Sequence, residues 1–297
     1  MLVKPTDNNV LPMDAASARA GGRHLGAILM DEGKLSAADA EQVLKRQREL
    51  GWRFGEAAIE LNLITDNDLR QALAKQYEFP YLVSGPEGVS KELIAAWDPF
   101  HPVVEELRTV RTQLLIRWYN PGAGRRTLAI ASPCAREGRS FIAANLAVVY
   151  SQLGERTLLI DANLRHPVQH ALFRLKDRNG LSNVLLGRAD LDCIANIPQF
   201  LDLSVLTAGS PPPNPQELLS RPAFSTLLQD VASSFDVVII DTPATADFAD
   251  AQIIASRCGA SVLVARARQS NVHGVRRAQQ SLTDSGAVLV GTVLNGH

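Results

Sequence analysis

The sequence predicts an α/β protein: a doubly wound parallel sheet preceded by a small all-helical repeat domain. From residue 127 to residue 294, short apolar runs typical of buried strands alternate with segments of helical periodicity, as a parallel sheet with crossover helices requires. Two of these runs, 157–160 and 236–240, are each followed by an aspartate. Before them, a pattern with helical spacing repeats after 29 residues.

The composition is typical of a soluble globular protein of about two domains. The 297 residues are 46% hydrophobic with a net charge of −1, so no bulk field steers the protein toward nucleic acid or an anionic membrane. Cys134, Cys193 and Cys258 lack the spacing of a disulfide framework or a zinc site. The sequence has neither a signal peptide nor a run of roughly 18 apolar residues. We therefore expect a cytoplasmic protein that meets the membrane only through a partner and binds no nucleic acid.

The repeat predicts two helix pairs. Each copy has a short helix, a residue that tolerates the left-handed conformation, and a second helix that begins at an N-cap, Ser36 or Thr65. A carboxylate stands three residues after each cap, at Asp39 or Asp68, as in a capping box. The corresponding positions are Gly22/Gly51, Leu25/Phe54, Gly26/Gly55, Gly33/Asn62, Leu35/Ile64, Ser36/Thr65, Asp39/Asp68, Leu44/Leu73 and Gln47/Gln76.

These patterns predict the order of the domains. We expect a disordered lead at 1–21, the helical tandem-repeat domain at 22–82, a linker rich in Gly and Pro at 83–102, and the P-loop α/β domain at 103–297. The last domain opens with a helix on which Glu105, Arg108 and Arg111 follow one another at three-residue spacing. Such charges pair within the helix, pair across an interface, or simply face solvent.

The segment TLAIASPCAREGRSFIAANL, residues 127–146, predicts a strand, a phosphate-binding loop and a helix. Backbone N–H groups of such a loop, together with the positive end of the helix dipole, form a pocket for phosphate. The P-loop pattern G-x-x-x-x-G-K-[ST] meets Pro133, Gly138, Arg139 and Ser140, so only the second glycine and the hydroxyl match it. Taken alone, the segment is equally compatible with an ordinary strand-to-helix turn.

Asp161 and Asp241 follow the two apolar runs noted above. Ligands of doubly wound sheets bind beyond the carboxyl ends of the strands, which would bring both carboxylates to the phosphate loop. There they would hold Mg²⁺ and orient an attacking oxygen, because phosphoryl transfer depends mainly on positioning and charge neutralisation. A strand-terminal aspartate also occurs as a helix cap or turn residue, so each one alone is ambiguous.

Residues 103–295 resemble the bacterial tyrosine kinases, in particular the exopolysaccharide chain-length-determinant kinases, which are P-loop proteins related to the partitioning ATPases. The motifs that carry the resemblance are Glu105-x-x-Arg108-x-x-Arg111, REGRS (136–140), IDANLRHP (160–167), LTAGSPPPNPQELL (206–219), VVIIDTP (237–243) and GTVLN (291–295). It implies an ATP- and Mg²⁺-dependent protein-tyrosine kinase. It also implies a homo-oligomeric ring and a separate membrane co-polymerase that sets polysaccharide chain length.

The resemblance also implies roles for individual residues. The implied catalytic residues are Asp161, Arg139 and Asp241, and the implied metal site is Ser140, Asp161 and Asp241. The implied nucleotide-binding residues are Cys134, Ala135, Arg136, Glu137, Gly138, Arg139, Ser140 and Phe141, with Asn295 toward the adenine. The implied subunit contacts are Glu105, Arg108 and Arg111.

The helical repeat resembles the N-terminal domain of type II secretion and type IV pilus assembly ATPases, which in some relatives binds cyclic di-GMP through an arginine that opens each copy. Here the second copy opens with Arg53, but the first has His24, with Arg23 one place off. A protein-interaction module is therefore the favoured interpretation, and cyclic di-GMP is the weaker one.

The chain departs from the kinase pattern at four places, which leaves two interpretations open. Arg139 replaces a lysine, Ala135-Arg136 replaces Pro-Gly, and Asn163 replaces a second aspartate. The tyrosine-rich tail is missing, so an active kinase would modify another protein. The chain is either such a kinase or a catalytically weakened nucleotide-binding scaffold of the same machinery. A weaker third option, a partitioning-type ATPase, rests on a basic group near the end of the chain: Arg266, Arg268, Arg276 and Arg277.

Overall fold

The computed structural model describes residues 24–76, 88–176 and 179–296. It divides the chain into two units, residues 1–79 and 80–297, which are described separately below. The lead predicted at 1–21 lies outside the described residues. None of the helices in the described ranges is both long enough and apolar enough to span a membrane.

The first unit contains the two predicted helix pairs. Its helices are α1 (Leu25–Asp31), α2 (Ala37–Leu50), α3 (Phe54–Glu60) and α4 (Asp66–Gln76). The turns that follow α1 and α3 contain Gly33 and Asn62 with φ of 68° and 55°, the left-handed conformation that the repeat predicted. Both predicted capping boxes are present, because the hydroxyls of Ser36 and Thr65 each accept the N–H of the aspartate three residues on, at 3.1 Å. The apolar positions of both copies share one core, whose fully buried members include Leu29, Val43, Ala57 and Ala58.

The second unit is built on a seven-stranded sheet with the order β3-β4-β2-β5-β1-β6-β7. Its strands are β1 (Thr127–Ala131), β2 (Thr157–Asp161), β3 (Ala195–Asn196), β4 (Leu203–Leu206), β5 (Val237–Asp241), β6 (Ala260–Arg266) and β7 (Val288–Asn295). Neighbouring strands are parallel throughout except for β3 and β4, which are antiparallel. The predicted doubly wound parallel sheet is confirmed.

Helices cover both faces of this sheet. They are α5 (Ile94–Trp97), α6 (Pro102–Arg117), α7 (Arg139–Ser151), α8 (Gln169–Leu172), α9 (Leu181–Leu185), α10 (Pro215–Ser220), α11 (Pro222–Ser234), α12 (Asp250–Cys258) and α13 (Val272–Asp284). Alternate strand residues point to opposite faces: Leu159 and Ile239 pack with α5, α6 and α7, whereas Leu158 and Ile160 pack with α9 to α13. The central strands are apolar on both faces, which explains why they read as continuous apolar runs in the sequence.

The described part of the predicted linker, residues 88–101, belongs to the second unit. Val89 and Leu93 are buried in the core that α6 and α7 share. The Asn145 side chain on α7 accepts the N–H of Ala95 at 3.0 Å and donates to the carbonyl of Glu92 at 3.1 Å. The described part of the predicted linker is therefore packed in the core rather than exposed, because short apolar anchors hold it against α7.

Candidate phosphate and metal site

The phosphate loop, residues 132–138, joins β1 to α7 and depends on a glycine at its end. Gly138 has a φ of 91°, and a Cβ placed there would lie 2.1 Å from Nδ2 of Asn295. That nitrogen donates to the carbonyl of Glu137 at 3.1 Å, so the end of β7 closes against the loop. Gly138 is thus required both by its backbone conformation and by the close approach of Asn295.

Arg136 stands where the sequence analysis expected a glycine. Its backbone has the left-handed conformation that glycine adopts most easily. Its φ is 62°, in the left-handed region. Its carbonyl accepts a hydrogen bond from Nη1 of Arg266 at 2.9 Å. Holding a non-glycine residue there costs on the order of 1–3 kcal/mol, which surrounding contacts must offset. Arg136 therefore adopts the left-handed conformation even though it is not a glycine.

The buried carboxylate of Glu137 stabilises the loop through hydrogen bonds. Glu137 is 1% exposed and accepts the N–H of Cys134 at 2.7 Å and the hydroxyl of Ser270. The hydroxyl of Ser270 in turn accepts the N–H of Arg266 at 2.7 Å. The loop is therefore tied to the segment that follows β6 and already has a defined conformation.

The side chain of Arg139 turns inward. It is 8% exposed, and its Nη1 donates to the hydroxyl of Ser132 and, at 3.4 Å, to the carbonyl of Cys134. Its Nε lies 3.9 Å from Oδ1 of Asp241. Burial lowers the pKa of Arg139 and the charge of Asp241 opposes this, but a guanidinium remains charged in proteins. The loop cation therefore serves as a counter-ion for Asp241.

The two predicted aspartates are direct neighbours in the sheet. Asp161 ends β2, Asp241 ends β5, and the parallel register pairs the two residues. Both are fully buried. The two carboxylates therefore lie side by side as the sequence analysis expected, because parallel strands bring their carboxyl ends to one edge, and their role in a site stays a prediction.

Asp161 is held by backbone N–H groups. Its Oδ1 accepts the N–H of Asn163 at 3.2 Å, and its Oδ2 accepts those of Val168 at 3.0 Å and Gln169 at 2.9 Å. Burial, followed by the charge of Asp241, raises the pKa of Asp161 to about 8, although the three N–H groups oppose the shift. The side chain of Asn163 is committed to a turn, since its Nδ2 donates to the carbonyl of His166 at 2.8 Å.

Asp241 receives hydrogen bonds from two side chains as well as from the backbone N–H of Thr242. Nε2 of Gln169 donates to its Oδ2 at 2.8 Å, and the hydroxyl of Ser140 is a second partner. Burial raises the pKa of Asp241, while Arg139 and these two hydrogen bonds lower it. Two buried carboxylates lie side by side with one guanidinium near them, so a further cation would relieve their repulsion.

The residues present fit Mg²⁺. Two buried oxygens, Oδ1 of Asp241 and Oε1 of Gln169, have no hydrogen-bond partner among the described residues. Carboxylate and hydroxyl oxygens are the ligands that Mg²⁺ prefers, and it takes its remaining ligands from water and substrate phosphates. A cluster of three or more His, Cys, Asp or Glu side chains suited to a metal is absent from the described ranges, and this ion does not need one.

The remaining residues of the implied site take different positions. Cys134, Ala135 and Arg136 are exposed on the loop, while Phe141 packs against the apolar core, so only its backbone faces the loop. Gln169 was missed by the sequence analysis, and its position eight residues after Asp161 gave no signal.

On α6, the predicted interface residues contact the same subunit. Arg108 forms an ion pair with Glu105. Nη1 of Arg111 donates to the carbonyl of Val149 on α7 at 2.8 Å. Their role in subunit contacts stays a prediction.

The sheet order, the phosphate loop and the paired aspartates place the chain among the P-loop α/β proteins. The cell division ATPase MinD of Pyrococcus furiosus has this fold, with a TM-score of 0.51 and 23% identity over 57% of this chain and 71% of that one. No family model matches the chain.

Closer similarity is found to bacterial kinases. The tyrosine-protein kinase YwqD of Bacillus subtilis is 36% identical over 208 residues, which are 70% of this chain and 87% of the relative. The putative tyrosine-protein kinase CapB of Staphylococcus aureus is 34% identical over 197 residues, 66% of this chain and 86% of the relative. The kinase domain of Escherichia coli ETK aligns with a TM-score of 0.65 and 32% identity over 69% of this chain and 79% of that one. The chain belongs to the bacterial tyrosine-protein kinase family.

Proposed function

We propose that this chain binds Mg-ATP at the loop 132–140 and transfers the γ-phosphate to a protein tyrosine. The observation that carries the proposal is the in-register pair Asp161 and Asp241 beside a braced phosphate loop. This arrangement supplies N–H groups and a cation for phosphate, carboxylates for a metal, and a carboxylate near the reacting oxygen. Family membership supports the same activity.

Each residue has a part in the proposed reaction. The loop N–H groups and Arg139 would hold the β- and γ-phosphates, and Ser140 and Asp241 would hold the metal. Asp161 orients the tyrosine hydroxyl and takes its proton, a role open to a buried carboxylate held in place by three backbone N–H groups. The phenolic oxygen bonds to the γ-phosphorus while the bond from that phosphorus to the bridging oxygen breaks, and ADP leaves with the electron pair. Bound Mg²⁺ would neutralise charge on the phosphates.

A catalytically weakened scaffold is the alternative, and it is favoured by two observations. Arg139 is bound to Ser132 and to the loop carbonyl rather than projecting outward. Asn163 holds a turn and offers no second carboxylate. Both functions require nucleotide binding, and they differ in turnover.

The test begins with calorimetric titration of the protein with ATP and ADP in the presence of Mg²⁺. Transfer of phosphate to tyrosine is then measured on the same sample with the proposed co-polymerase added. Asp161→Ala should abolish transfer while ADP still binds, and Asp284→Ala, at an exposed position, should leave both unchanged. Binding without transfer by the wild-type protein would support the scaffold, and no binding would refute both functions.

The biological setting is a further part of the proposal. A putative tyrosine-protein kinase in the cps region of Klebsiella pneumoniae is 37% identical over 206 residues, 69% of this chain and 28% of that relative. We place this chain in exopolysaccharide or capsule biosynthesis, where it would regulate polymer chain length and export. Its partners would be a separate membrane co-polymerase and other copies of itself, assembled through Glu105, Arg108 and Arg111. Co-purification from membranes with and without the co-polymerase tests the first partner.

Cyclic di-GMP binding by the helical repeat stays a prediction.

A further inference from the structure

Gln169 connects the two aspartates with the start of α7. It is fully buried at the start of α8. Its backbone N–H donates to Asp161 at 2.9 Å, and its side-chain Nε2 donates to Asp241 at 2.8 Å and to the carbonyl of Ser140 at 3.2 Å. One residue therefore contacts both aspartates and the first turn of α7.

The orientation of its amide is fixed by these partners. An ionised carboxylate and a backbone carbonyl both accept hydrogen bonds and cannot donate them. Turning the amide over would place Oε1 against two acceptors, Oδ2 of Asp241 and the carbonyl of Ser140. Nε2 therefore faces these two atoms and Oε1 points to the other side.

Oε1 of Gln169 is buried and has no hydrogen-bond partner within the described ranges. A buried amide oxygen without a donor is unfavourable, so such atoms usually have a ligand or water as partner. Oδ1 of Asp241, the acceptor next to the oxygen that Gln169 already binds, also lacks a hydrogen bond there. Buried acceptors without donors on two side chains that are hydrogen-bonded to each other point to a ligand that brings donors with it.

We propose that Gln169 is a positioning residue of the metal site: its Nε2 orients Asp241, and its Oε1 accepts a hydrogen bond from the hydration shell of Mg²⁺. The inference rests on the proposed binding of Mg-nucleotide. Magnesium retains several waters in protein sites, and each water is a donor. A neutral amide suits this place, because it accepts from water without adding a third negative charge beside the two aspartates.

The experiment measures ADP binding by calorimetry, once in Mg²⁺ and once in EDTA, for the wild-type chain and Gln169→Met. Methionine keeps the length of the side chain and removes both polar atoms. We expect about a tenfold loss of ADP affinity in Mg²⁺, the size typical of residues that orient metal ligands, and less than a twofold change in EDTA. Gln152→Met is the matched control. Gln152 follows the other end of α7, and its Nε2 donates to the carbonyl of Ala95 at 2.9 Å. This control should leave the ratio of the two affinities unchanged.

Three outcomes would overturn the inference. They are equal losses in Mg²⁺ and EDTA, no loss in either with an unchanged KM for the tyrosine acceptor, and no loss in either with a raised KM, which would assign Oε1 to the acceptor hydroxyl. If Gln169→Met lacks the wild-type melting transition, Gln169→Asn replaces it, because its shorter amide cannot reach Asp241 but stays polar. The same selective loss is expected. Absence of ADP binding by the wild-type chain would refute the proposed function instead, so the two failures are distinguishable.

Discussion

The aspartates of the two units are in opposite electrostatic situations. In the helical unit, Asp39 and Asp68 lie at helix starts near solvent. Hydrogen bonds from Ser36 lower the pKa of Asp39, and hydrogen bonds from Lys34 and then Thr65 lower the pKa of Asp68 to about 2. In the sheet unit, burial raises the pKa of Asp161 and Asp241. Asp39 and Asp68 stabilise the fold in their ionised form. Asp161 and Asp241 are unfavourable when both are ionised, unless a further cation binds beside them. The same residue type thus serves stability in one unit and function in the other.

Removing the counter-ion of the buried pair should have the largest effect on stability. Arg139→Met leaves Asp241 buried without its cation, and losing one partner of a buried ion pair costs about 3–5 kcal/mol of unfolding free energy. Urea unfolding at pH 8 measures the loss. It should be smaller at pH 5, where Asp241 is more easily protonated. Arg139→Lys keeps the charge and is the control. An equal loss in both variants would show that packing of the side chain matters rather than its charge.

Asp161→Asn should change how stability depends on pH. The folded-state pKa of Asp161, about 8, lies above its ordinary value of 3.8. Its contribution is therefore fully present below pH 3.8 and is lost as the pH rises through about 8. Without nucleotide and Mg²⁺, the wild-type protein should lose unfolding free energy between pH 6 and pH 9, and the asparagine variant should lose less. Parallel curves for the two proteins would mean that Asp161 is ionised throughout this range.

The sequence predicted the partners that regular structure brings together. Asp161 and Asp241 could be placed side by side because parallel strands align their carboxyl ends, although 80 residues separate them. The caps at Ser36 and Thr65 could be predicted because they involve residues only three positions apart.

Contacts set by loops and by side-chain rotamers could not be predicted. Two hydrogen bonds, Gln169 to Asp241 and Ser270 to Glu137, join segments that are far apart in the sequence. Nothing in the sequence of one segment indicates that it contacts the other. The inward direction of Arg139 depends on Ser132, Cys134 and Asp241, which come together only in the folded protein. The packing of the stretch 88–101 was not predicted because its composition indicated a linker, while Val89 and Leu93 anchor it.

In the helical unit, substitution of Asp68 should lower the stability of α4 by a moderate amount. Asp68→Asn weakens the capping box and removes the ion pair with Lys34, which is 2.7 Å long, so α4 should lose about 1 kcal/mol. Since the folded-state pKa is lowered from 3.8 to about 2, this contribution is present above pH 3.8 and is lost as the pH falls through about 2. Hydrogen exchange of the amides of residues 66–76 in the full chain, at pH 6, measures the loss. Asp39→Asn, read out on α2, should give a smaller loss because the hydrogen bonds that lower its pKa come from Ser36 alone.

Lys34→Met should lower the stability of α4 the least of these substitutions. It tests whether the ion pair with Lys34 explains the difference between the caps at Asp39 and Asp68. Lys34 lies in the turn after α1 and pairs with Asp68 of the second copy, so it connects the copies. Exposed ion pairs contribute little, which predicts only a slight loss of protection in α4. In the Lys34→Met protein, Asp68→Asn should remove no more protection from α4 than Asp39→Asn removes from α2 in the wild-type chain, because Asp68 then contributes only its cap. If Asp68→Asn keeps its full cost without Lys34, the second cap is intrinsically stronger, and the difference between the copies comes from Thr65 and the local backbone rather than from the ion pair.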